Sequence, residues 1–94
     1  LRLDIEISEE GVVCIKGDAN IYSVNELKDK LLEIYETSKE IKIDLSEVSD
    51  IDTSAIQALL SLKMSAKKNN IPYKILNPSE VVVLAFKYCG ILRK

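Results

Sequence analysis

An α/β fold built on a mixed sheet is predicted by three features of this 94-residue chain. Polar and apolar residues alternate at the start, two helix-spaced apolar segments lie between β-rich runs, and a third such segment closes the chain. The order that results is β-β-α-β-α-β-α. Strands separated by helices need crossovers and therefore parallel neighbours, while an opening hairpin adds antiparallel pairing. The length suits one domain, residues 1–94, with no repeat, linker or low-complexity segment.

Each element has its own signal. Leu1, Leu3, Ile5 and Ile7 alternate with Arg2, Asp4 and Glu6, the period-two mark of a strand with one buried face. Glu9-Glu10-Gly11 makes a turn, Val12 to Ile15 forms the second strand, and Gly17 ends it. Ser23-Val24-Asn25-Glu26 reads as a capping box. Val24, Leu27, Leu31 and Ile34 follow at helical spacing, and the helix stops near Thr37 to Lys39. Ile41, Ile43 and Leu45 mark a third strand, and Ser46 to Asp52 a short polar loop. A second helix starts at Thr53 or Ser54. Its apolar face holds Ala55, Ile56, Leu59, Leu60, Leu62 and Ala66, and Asn69-Asn70 marks its end. Tyr73 to Leu76 is the fourth strand. Asn77-Pro78-Ser79-Glu80 opens the last helix with Ser79 as cap, and Val81, Leu84, Ala85 and Tyr88 face inward. Gly90 is placed for a left-handed C-terminal cap with Ile91 packing back.

Composition excludes several functions. Hydrophobic residues make up 47% and charged residues 30%, a balance that folds and stays soluble. There is no run of eighteen apolar residues, so no membrane insertion is expected. No secretory pattern opens the chain, since Arg2, Asp4 and Glu6 interrupt its apolar residues. Net charge is -2 and the lysines are scattered, which argues against nucleic acid as a partner. The pair Lys67-Lys68 fits the cation preference of a helix C-terminus. Histidine is absent, so a Cys/His zinc site, a Ser-His-Asp triad and a Cys-His pair are all impossible. Gly11, Gly17 and Gly90 form no phosphate-binding loop. Asp44, Asp50 and Asp52 as magnesium ligands are less economical than surface and capping roles. No cofactor, metal or catalytic residue is therefore expected, and the chain reads as a non-enzyme. Cys14 and Cys89 lie in apolar runs, which predicts two reduced, buried thiols and a reducing, cytoplasmic setting.

In open α/β sheets, partners meet the loops beyond the strand carboxyl ends. Two such loops stand out. One runs Gly17-Asp18-Ala19-Asn20-Ile21-Tyr22 into the first helix, and the other runs Ser46 to Ser54 into the second. Crossover topology places both on one rim. The candidate partner-binding residues are Asp18, Asn20 and Ile21 from the first loop and Asp50, Ile51, Asp52, Ser54 and Gln57 from the second. Ile21 and Ile51 read equally as core residues leading into a helix. Asp52 or Thr53 can cap the second helix, whose free amides and dipole also accommodate a phosphate on a hydroxyl placed there. Plain capping with no modification reads from the same residues.

The stretch from Asp44-Leu45-Ser46 through Asp52-Thr53-Ser54-Ala55-Ile56 resembles the signature of the STAS class, the anti-sigma factor antagonist family. Gly17 to Ser23 resembles that family's lead into its first helix, and Asn77-Pro78-Ser79-Glu80-Val81 with Gly90-Ile91 its closing helix. The resemblance implies a STAS-like fold and a protein that works by binding a partner. It implies phosphorylation at Thr53, with Ser54 as the alternative acceptor. The kinase would be a partner serine/threonine kinase that is itself the anti-sigma factor. Thr53 stands where Ser is commoner, Ala55 where Gly is usual, and Asn20 where Asp is frequent. The resemblance equally fits an unphosphorylated subunit of a chemotaxis or phospholipid-transport complex.

Overall fold

The computed structural model describes residues 2–89. Its elements are β1 (Asp4–Ile7), β2 (Val12–Ala19), α1 (Val24–Thr37), β3 (Ile41–Ile51), α2 (Thr53–Lys68), β4 (Tyr73–Leu76) and α3 (Glu80–Tyr88). The expected order is thus observed. The strands lie side by side in sequence order, β1-β2 antiparallel and both β2-β3 and β3-β4 parallel. The expected C-terminal cap at Gly90 and packing of Ile91 lie outside the described residues.

Alternation gives the sheet one covered and one open face. Val13, Ile15, Ala19, Ile41, Ile43 and Leu45 are buried, while Cys14, Lys16, Asp18, Lys42 and Asp44 between them are half-buried. Onto the covered face pack Leu27, Leu31 and Ile34 of α1 and Ala55, Ile56, Leu59 and Leu62 of α2, in one continuous core. Full burial of a side chain such as Leu27 or Ile43 stabilises the fold by about 1.5–3 kcal/mol. The helices α1 and α2 pack against each other, and α3 rests on β3.

Two strands are longer than expected, for one shared reason. β2 passes through Gly17 to Ala19, and β3 passes through the expected loop Ser46 to Asp52 as far as Ile51. Their pairing is irregular twice. Cys14 and Lys16 face Asp44 and Glu47, and Gly17 and Asp18 face Val48 and Asp50. At each step β3 carries an extra residue, as in a bulge. The bulges change the burial period from two to three, so Leu45, Val48 and Ile51 all point to the core. That broken alternation is why the segment reads as a loop.

Five side-chain expectations are also corrected. Ser23 occupies the N-cap position of α1 without a capping hydrogen bond. Its hydroxyl donates to the Asp18 carbonyl at 2.9 Å and accepts from Asn20 N at 3.1 Å, so it serves the loop instead of the helix. Ser79 likewise makes no cap bond. Its Oγ donates to Val48 O at 2.7 Å and its N–H to Leu45 O at 3.1 Å. Those carbonyls lie beyond Asp44, where the β3-β4 register ends. In α3 the inward positions are Val82 and Phe86; Val81 and Ala85 pack partly, while Leu84 and Tyr88 are exposed. In α2, Leu60 lies at the solvent margin. Both thiols are free, but Cys89 is exposed and Cys14 only half-buried, against the expectation of burial.

Gly17 cannot be replaced cheaply. Its φ is +89°, and a Cβ there would lie 2.0 Å from the Arg2 carbonyl oxygen. Gly17→Ala should therefore cost at least about 1–3 kcal/mol from the backbone strain alone, with the clash added. Urea unfolding measures it, and an unchanged midpoint would contradict this packing.

Candidate functional site

The long β2-β3 pairing delivers both candidate loops to one rim of the sheet. Asp18 pairs with Asp50 and Ala19 with Ile51. Asp52 N–H then donates to Ala19 O at 3.1 Å, extending the ladder to the first residue before α2. The two loops are next joined by side chains. Asn20 Nδ2 donates to Asp50 Oδ2 at 3.4 Å, and Ser49 Oγ to Asp18 Oδ1 at 3.4 Å. Ile21 N–H donates to Asp52 Oδ2 at 2.8 Å.

Asp52 also resolves the choice of cap. It is the N-cap of α2, with φ −121° and ψ −179°, and its Oδ1 accepts from Ala55 N at 3.2 Å and from Ser54 Oγ at 2.6 Å. Burial works to raise its pKa, but the hydrogen bonds from Ser54, Ala55 and Ile21 outweigh burial and hold the carboxyl below its ordinary value. The Asp44 carboxyl is also lowered, by the Ser46 hydrogen bonds and by Asn77, against opposing burial. Asp44, Asp50 and Asp52 thus each receive protein donors. Among the described residues no group of three His, Cys, Asp or Glu side chains is arranged to hold a metal ion.

The two hydroxyls at the start of α2 differ in environment. Thr53, the first helical residue, is exposed, and its hydroxyl makes no hydrogen bond among the described residues. Ser54 is half-buried and its hydroxyl is committed to Asp52. Gln57 is exposed one turn beyond Thr53, on the neighbouring helix surface. From Ser54 and Gln57 a groove of about 360 Å³ runs between α1 and α2, past Lys28, Leu31 and Ser61.

Of the nine residues singled out in the sequence, the structure gathers Asp18, Asn20, Ile21, Asp50, Asp52, Thr53, Ser54 and Gln57 at this end of the sheet. Ile51 is buried at 8% exposure and belongs to the core, while Ile21 is 65% exposed. Sequence reading passed over Tyr22, which is 96% exposed, and Ser23, which braces the loop. An apolar Ile-Tyr pair inside an otherwise polar turn was the available signal.

The Asp52 hydrogen bonds give a stability test with a definite sign. The folded pKa lies below the ordinary 3.8, so the stabilisation is present above that pH and is lost as pH falls through the folded value. Asp52→Ala should lower stability at neutral pH by about 1 kcal/mol, and the gap from wild type should close below pH 3.8. Denaturant midpoints of the two proteins across pH measure it. A gap independent of pH would contradict an ionised cap.

Comparison with known proteins agrees with this fold. The STAS domain model matches residues 3–94. The anti-sigma-B factor antagonist of Bacillus subtilis (strain 168) is 26% identical over 92 residues, covering 97% of this chain and 84% of that protein. The probable sulfate transporter 4.2 of Arabidopsis thaliana is 34% identical over 98 residues, covering 87% of this chain but only 14% of the transporter. The solved structure of the Bacillus cell fate determinant SpoIIAA in its phosphorylated form superposes with a TM-score of 0.70 at 19% identity, over 96% of this chain and 85% of that one. That likeness is one of fold. With the family model matching all but the first two residues, the chain belongs to the STAS domain family.

Proposed function

We propose that this chain is a regulatory protein–protein interaction module of the anti-sigma factor antagonist type, switched by phosphorylation of Thr53. Its partner is a serine/threonine kinase that also acts as the anti-sigma factor. The contact surface is the rim formed by Asp18, Asn20, Ile21, Asp50, Asp52, Ser54 and Gln57, and the module has no catalytic turnover of its own.

The observation that carries this reading is the contrast between the two hydroxyls. Thr53 is exposed at a helix N-terminus with no hydrogen bond to its hydroxyl among the described residues, whereas Ser54 is engaged by Asp52. A kinase needs an accessible acceptor, and Thr53 is the more accessible of the two. The Bacillus subtilis relative named as an antagonist supports the same reading, as does a structural neighbour solved in a phosphorylated form.

Phosphate adds about −1.5 to −2 charges beside Asp50 and Asp52. Within the chain, the amides and dipole of α2 offset part of the repulsion, so the fold survives. A partner surface fitted to a small neutral hydroxyl must instead desolvate a dianion, which costs several kcal/mol when unpaired. Each ~1.4 kcal/mol is a factor of ten in affinity.

A second reading has its own observation. The match to a segment of a sulfate transporter is compatible with an unphosphorylated STAS subunit of a transport complex. Affinity capture from native extract, with identification of the bound protein, supplies the partner for a calorimetric series. Phosphorylated protein should bind at least about tenfold more weakly than wild type, a loss of about 1.4 kcal/mol. Thr53→Glu should lose less, because it carries one charge in a different geometry. Thr53→Ala should bind normally and ignore the kinase, with circular dichroism unchanged throughout. Equal affinities for all four forms would reject the switch and favour the subunit reading.

A further inference from the structure

The Asp52 carboxylate does two jobs with two oxygens. Oδ1 accepts from Ala55 N and Ser54 Oγ, both on α2. Oδ2 accepts from Ile21 N, thirty-one residues earlier on the other loop. One side chain therefore caps a helix and grips the turn that follows β2. The turn has further braces. Asn20 Oδ1 accepts from Tyr22 N at 3.0 Å, Asn20 Nδ2 donates to Asp50, and Ser23 closes the turn from inside. Bracing of this kind orders a backbone whose own side chains are left in water. Ile21 is 65% and Tyr22 96% exposed.

We infer that Asp52 is a positioning residue for a recognition element formed by Ile21 and Tyr22, with Tyr22 as the apolar anchor that a protein partner buries. Two exposed apolar residues on a mobile loop would lose entropy on docking. Here the backbone is already ordered, so that cost is reduced before binding. Tyrosine suits the role, since it offers a large apolar area with a polar tip and is enriched among residues that dominate interface energies. Asp52 ties the Ile21 amide to the start of α2, where Thr53 is the first residue, so the partner that reads Thr53 meets Ile21 and Tyr22 on the same rim. This inference rests on the proposed interaction role for the partner, but the link between the loops stands without it.

Asp52→Asn separates the two jobs. Asparagine has one acceptor oxygen, which serves either the cap or the Ile21 amide and not both. Hydrogen exchange followed by NMR on the purified chain reads the result without any partner. In Asp52→Asn, either Ile21 or Ala55 should lose protection by about tenfold or more, the scale of a hydrogen bond to a charged group, while Ile43 in the core keeps its own. Wild-type protection at both amides would overturn the link, and so would an equal loss at Ile43. The second arm uses the purified partner identified by the capture experiment above. Tyr22→Ser should weaken its binding by about tenfold or more, as for an anchor residue, with the Ile21 amide still protected. Unchanged affinity for Tyr22→Ser would overturn the anchor. A phosphorylated protein that binds as tightly as wild type would sink the proposed switch and leave this inference intact.

Discussion

The paired course of β2 and β3 past their regular register is the constraint on which the rest of the structure depends. A strict period-two strand would turn Val48 and Glu47 alternately in and out and would end the ladder near Leu45. The two extra residues on β3 let Val48 and Ile51 stay in the core while the strand reaches Asp52. Gly17 is part of the same arrangement. Its positive φ and the close approach of the Arg2 carbonyl allow β2 to follow β3 through the irregular region. Ser79 completes it by supplying donors to the Leu45 and Val48 carbonyls. Without this extension, the loop after β2 and the start of α2 would not share hydrogen bonds.

The proposed function draws on where that ladder stops. The last rung, from Asp52 N to Ala19 O, sets the Asp52 side chain between two segments that each present free backbone amides. An ionised carboxylate is the group that satisfies both, and its lowered pKa is the thermodynamic trace of that engagement. The residue after it, Thr53, is exposed at the start of α2. A charge added there meets a rim already acidic, supported on the inside by helix amides and opposed on the outside by any partner that must shed water to approach.

Much of this was legible in the sequence, and the parts that were not have physical causes. The order of elements came through because Leu1 to Ile7, Val24 to Ile34 and Ile41 to Leu45 each keep a clean period. The extension of β3 was hidden because bulges break the alternation that marks a strand, and Ser46, Glu47, Ser49 and Asp50 look like a polar loop. The inward face of α3 was misassigned by one position, since Val81, Val82 and Val83 are equivalent by composition and only packing chooses Val82 with Phe86. A helix start at Thr53 or Ser54, capped by Asp52 or Thr53, was recognisable because helix starts have local chemistry, and the structure chose Asp52 as the cap and Thr53 as the first residue. That Ser54 is held by Asp52, that Ile51 and not Ile21 is core, and that Ser23 braces a turn were not readable, because each depends on a neighbour far away in sequence or on a rotamer.

The claim at the centre of this account is that Thr53, and not Ser54, receives the phosphate. Site-resolved mass spectrometry of the chain isolated from its native cells, sampled with and without the conditions that activate the proposed kinase, addresses it directly. The account predicts a phosphopeptide with the modification on Thr53, appearing and disappearing with those conditions while Ser54 stays unmodified. Phosphate on Ser54 with Thr53 bare, or no phosphate in any condition, would contradict it.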